Sequence, residues 1–164
     1  MLLRTFVLVS VGLPALAGDS PALRGGLLRL PPAPAELAFG DFFKSPIGPR
    51  GLEYTDALRR LDAGRVCIEG YMVRQCEPTV GMFLLSPVPV TLHEHEYGLC
   101  DDLPASTLHV LLPRSSASRR PAFTPVRLQL TGTLRVGSRE EADGRISVAR
   151  LELDSLEPSP GHPK

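Results

Sequence analysis

Residues 91–100 read TLHEHEYGLC and hold the densest set of titratable side chains in the sequence. His93 and His95 stand two apart, each is followed by a glutamate, and Cys100 comes five residues after the second imidazole. Side chains alternate faces along an extended strand, so His93 and His95 would share one side, about 7 Å apart, with Glu94 and Glu96 on the other. Two imidazoles so spaced can converge on one cation. Zinc or copper suits them, with Cys100 as a further ligand and His109 as a contribution from the next strand. Asp101 and Asp102 offer oxygen ligands or second acceptors.

The same residues admit two other readings. Alternating His and Glu on an exposed edge keeps that edge soluble and unpaired. Alternatively, Tyr71, His93, Glu94, His95 and Glu96 form a ligand pocket without metal. HxH alone is a weak metal motif, because a structural zinc takes four protein ligands. Catalysis is the least supported. Cys100 with His93 or His95 can be drawn as a nucleophile and base, but no strained nucleophile turn, oxyanion-hole motif or phosphate loop surrounds them. The expectation is a noncatalytic protein, with a thiol-dependent enzyme as the remote option.

The elements that would carry these residues begin with a leader. Arg4, the uncharged run 5–13 and the small residues Ala15 and Ala17 follow the pattern of a secretory signal peptide spanning 1–17. Its apolar run is too short to cross a bilayer, and no later segment is long and apolar enough, so no transmembrane segment is expected in the mature chain. A periplasmic or secreted protein follows. Removing Arg4 leaves 17 basic against 18 acidic residues, a net charge near −1. RSSASRR (114–120) reads as a solvated loop, and Trp is absent, so nucleic acid is not expected as a partner. Export also makes one disulfide plausible among Cys67, Cys76 and Cys100. Cys76–Cys100 is favoured, because both lie near turns while Cys67 sits inside an apolar strand.

Residues 18–35, ending in PPAPA, read as a Pro/Gly-rich arm or linker, 36–156 as a single domain and 157–164 as a disordered tail. Within the domain TDALRRLDAG (55–64) is the one helix, capped by Thr55 or Asp56 and ended by Gly64. Strands are expected over 65–74, 81–86, 107–113, 126–136 and 145–156. In 126–136 Val126, Leu128, Leu130, Leu134 and Val136 alternate with polar residues, the pattern of a half-buried strand. In 145–156 the apolar parity changes near Ala149-Arg150, which reads as a β-bulge. Gly70 marks a bend, a bulge or a close backbone approach. The fold expected is mainly β: a small antiparallel OB-like barrel of five to six strands with one short helix, the alternative being an open α+β sheet.

GYMV (70–73) followed by FLLSP (83–87), the Gly-Arg-Val approach at 64–66 and LTGTLRVG (130–137) resemble a family of small exported bacterial proteins. That family looks OB-like and is functionally uncharacterised, and the resemblance covers roughly residues 60–156. It implies the fold and no reaction. This chain departs from the pattern at Arg74, where members often carry Pro. It departs again at PVPVTLHEHEYGLCDDLP (87–104), where they often carry a Cys-x-His step and a proline run. The function expected is an exported noncatalytic binding module of the cell envelope, recognising a protein partner or small ligand through residues 88–104. The alternative is a periplasmic metal carrier or sensor using His93 and His95.

Overall fold

A computed structural model describes residues 33–92, 103–155 and 159–160. The leader expected over 1–17 lies outside the described residues. β1 (Ala35–Leu37) leads through a 3-10 turn at Phe39–Asp41 to α1 (Asp56–Arg60). β2 (Arg65–Met72), β3 (Met82–Ser86), β4 (Leu108–Leu111), β5 (Arg127–Glu140) and β6 (Ile146–Leu153) follow, then a two-residue β7 (Ser159–Pro160).

β2 shows why these residues become strands. Val66, Ile68, Gly70 and Met72 turn inward while Arg65, Cys67, Glu69 and Tyr71 turn outward, an unbroken period of two. Cys67, expected inside an apolar strand, lies in β2 on its outer face, half-buried.

Five strands close a ring. β2 pairs antiparallel with β3, β3 antiparallel with β4, β4 parallel with β6, β6 antiparallel with β5, and β5 antiparallel with β2. This is a small, mainly β barrel, as expected, with one refinement. β4–β6 runs parallel, because a ring of five strands cannot alternate direction at every seam, and β1 adds to β2 in parallel. The core inside the ring is aliphatic, with Ile68, Leu85, Leu108, Val110, Leu134 and Leu151 nearly sealed from solvent. Phe42 and Leu58 join the same cluster, both fully buried. Removing Leu58 from water contributes roughly 2 kcal/mol. It rides on α1, whose cap is the Thr55 hydroxyl accepting from Leu58 N at 3.0 Å.

Glycines let the strands close. A Cβ on Gly70 would lie 2.8 Å from both the Phe39 ring and the Ser86 carbonyl oxygen, so the close approach read at that position comes from β3 and the 3-10 turn. At Gly132 a Cβ would collide with the Glu152 carbonyl oxygen. There β5 pairs with Val66 on one side and Leu153 on the other.

Three local expectations change. α1 spans five residues, and the left-handed residue after it is Ala63 (φ 59°), not Gly64. β6 has no bulge: Ser147, Ala149, Leu151 and Leu153 all face in, and Ile146 and Val148 face out. The register shift lies instead in β5, between Val136 and Arg139, where Gly137 has φ 128°. In the tail expected to be disordered, Ser159–Pro160 pairs with Gln129 and Leu128 of β5. Among the described residues no helix is long and apolar enough to cross a membrane.

Candidate ligand cleft

The site begins with the alternation of Thr107-Leu108-His109-Val110. Leu108 and Val110 enter the core, so Thr107 and His109 project from the barrel's outer face. They are nevertheless 6% and 3% exposed. Two features cover them. One is the β5–β6 turn: β5 continues through Glu140, and the chain reverses within 141–145 rather than across the longer loop 137–144. Glu141 N bonds the Arg145 carbonyl at 2.9 Å, Gly144 N bonds the Glu141 carbonyl at 3.0 Å, and Gly144 has φ 78°. The other is the approach to β4 at Leu103-Pro104-Ala105.

The turn brings Asp143 onto His109. Its Oδ2 lies 3.5 Å from His109 Nε2 and 3.6 Å from Arg145 Nη1, and its side chain is only 4% exposed. The Arg145 backbone N–H donates to Asp143 Oδ1 at 3.1 Å. Burial pushes the Asp143 carboxyl up, but the His109 imidazole, that backbone N–H and the Arg145 guanidinium together hold it below the usual carboxylate range. The His109 contact has ion-pair reach without hydrogen-bond geometry. Both His109 nitrogens, Asp143 Oδ2 and Thr107 Oγ1 are sealed and make no hydrogen bond among the described residues. Buried polar groups are seldom left so. Alongside, Glu141 accepts from the Ser147 hydroxyl at 2.6 Å and from Arg150 Nη1 at 3.3 Å.

A cleft of about 450 Å³ opens over this floor, walled by Leu52, Leu103, Ile146 and Val148, with Thr107, His109 and Arg145 lining it. Leu52 and Ile146 are 48% and 61% exposed, so the walls present apolar surface to solvent. A second hollow of about 600 Å³ lies against β1, β2 and β5. Within it Arg127 pairs with Glu69 at 3.1 Å and Gln129 donates to Glu69 at 3.4 Å, while Glu36 and Asp41 make the lining acidic on balance.

The candidate residues divide accordingly. His109 lines the cleft. Tyr71 sits on the outer face of β2 opposite Ser86 and Arg127 and is not part of the cleft's lining. His93, Glu94, His95, Glu96 and Cys100 lie outside the described residues, as therefore do the metal set built on them and the Cys76–Cys100 disulfide. Cys76 itself is exposed with a free thiol, which donates to the Leu92 carbonyl at 3.5 Å. Among the described residues no group of three or more His, Cys, Asp or Glu converges as a cation site. The described ends of 88–104 are anchored: Arg74 N bonds the Val90 carbonyl and Leu92 N the Arg74 carbonyl, at 2.9 and 2.8 Å. Val73, Leu84 and Leu92 form a second apolar cluster outside the barrel, against which Val90 and Leu103 pack.

Sequence reasoning passed over Thr107, Asp143, Arg145, Leu52 and Ile146. A signal for the last was present. The outward apolar parity of Ile146 and Val148, read as a bulge, is the cleft's wall.

No protein-family model matches the chain. No curated protein is similar to it in sequence. Among solved structures, a DUF3299 family protein from Pseudomonas aeruginosa is similar over 80% of this chain and 99% of its own, with 16% sequence identity and a TM-score of 0.49.

Proposed function

We propose that the protein is an exported, noncatalytic binding module of the cell envelope that seats a small ligand in the cleft over β4, one wall being the end of segment 88–104. The observation that carries this reading is the pairing of exposed aliphatic walls, Leu52 and Ile146, with a floor of buried polar atoms that no described group satisfies. Clefts of about 300–1,000 Å³, mostly apolar with a few placed polar groups, are how proteins hold small molecules. Thr107 and His109 make no hydrogen bond to one another, which suits recognition better than proton relay. Export is supported by the leader pattern in 1–17.

The test is fluorescence titration of the mature chain with the neutral fluorophore N-phenylnaphthylamine. Saturable enhancement is expected, and Ile146→Asp should weaken it by about tenfold or more by placing a charge in an apolar wall. Because Ile146 is exposed, the variant should melt as the parent does. No saturable binding, or binding indifferent to the substitution, refutes the cleft. A secreted or periplasmic product whose mass begins after Ala17 supports export; an unprocessed cytoplasmic chain refutes it.

A further inference from the structure

We propose that the cleft selects a neutral head group that both donates and accepts hydrogen bonds, of the carboxamide type, carried on a hydrocarbon body. This rests on the cleft being the binding site and adds what is recognised there.

The first argument is charge. Arg145, the charged side chain that lines the cleft, already has the Asp143 carboxylate at 3.6 Å, and beside this pair Glu141 has Arg150 at 3.3 Å. These groups are mostly buried. An additional ionic head would have to shed its water against charges that are already matched. The second argument is unmet hydrogen bonding. The Asp143 carboxylate beside Nε2 favours the imidazole proton on that nitrogen, which leaves Nδ1 as an acceptor. Thr107 adds a hydroxyl that can donate or accept. The two residues lie two apart on extended chain, about 7 Å between their Cα atoms. A carboxamide presents an N–H and a C=O side by side and can serve both partners at once. The third argument is the wall. Leu52, Leu103, Ile146 and Val148 are aliphatic and offer a hydrocarbon no polar distraction.

Octanamide, octanoate and octylamine share a chain and differ in the charge of the head. Each is to be titrated at neutral pH against N-phenylnaphthylamine bound to the mature protein. Octanamide is expected to displace the fluorophore at least about tenfold more tightly than either ion, the scale of discrimination that hydrogen-bonded sites achieve. Thr107→Val should weaken octanamide by about fivefold or more, and by clearly more than it weakens the fluorophore. Thr107→Ser should retain octanamide binding and guards against misfolding of the valine variant. Octanoate or octylamine binding as tightly as octanamide overturns the neutral-head selection and leaves the cleft standing. Octanamide affinity unchanged in Thr107→Val also overturns it. Failure of the fluorophore itself to bind would remove both the cleft and its selectivity.

Discussion

Asp143 joins the cleft's chemistry to the stability of the fold. Its folded pKa lies below that of the unfolded chain, so it stabilises the native state above the ordinary carboxylate pKa, about 3.9. That stability drains away as pH falls from the ordinary value through the depressed one. Urea unfolding of the parent should therefore show a drop below about pH 4. Asp143→Asn should flatten that drop and, at neutral pH, lower stability by about 1–3 kcal/mol, the cost of leaving buried partners unmet. An asparagine variant with the parent's acid profile would show that other carboxylates set it. Little of this was legible beforehand. Asp143 and Gly144 carry the marks of a turn, and nothing in a turn motif says which strand it will fold against. His109 was read as a metal ligand joining His93 and His95 from the next strand, because its buried partner is 34 residues away in the chain.

At the scale of elements, strand periodicity was the readable signal. The apolar run at 65–74 and the alternation at 126–136 become β2 and the first part of β5. Less readable were the places where one residue bends the path. The change of apolar parity in 145–156 has two causes that look alike in sequence: a bulge, or a strand with apolar residues on both faces. The second holds here, because the outer face of β6 borders a cleft. The end of α1 is a similar case. Gly64 has the composition of a helix terminator, but Ala63 takes the left-handed backbone and its N–H bonds the Leu134 carbonyl at 2.9 Å. A Cβ in that conformation costs about 1–2 kcal/mol. Ala63→Gly should therefore raise stability by up to about 1 kcal/mol, the gain being partly offset by the freer unfolded chain. Denaturant midpoints measure this, and a lower midpoint for the glycine variant would contradict it.

For the whole molecule, closure of the ring depends on β5 passing between β2 and β6, and that passage narrows at Gly132. A methyl group there would press on the Glu152 carbonyl oxygen, part of backbone that cannot swing aside. Gly132→Ala is expected to cost at least about 2 kcal/mol through forced separation of β5 from β6, read as a lowered thermal midpoint. A midpoint within a degree of the parent's would mean that the two strands part without penalty. The barrel class was foreseeable from strand number, the single short helix and the chain length. The parallel seam was not, because strand order follows from how distant segments meet and leaves no local mark in composition.

That seam has a consequence for how the protein can be made. β4 pairs with β3 on one side, but finds its second neighbour only after residues 150–152 exist, some forty positions further along. Until then the nascent polypeptide carries a raw, sticky margin with no lawful companion. Truncation ahead of Leu153 should yield insoluble fragments rather than a smaller working domain, and a cell handling this product has reason to keep it unfolded until its last long strand has emerged.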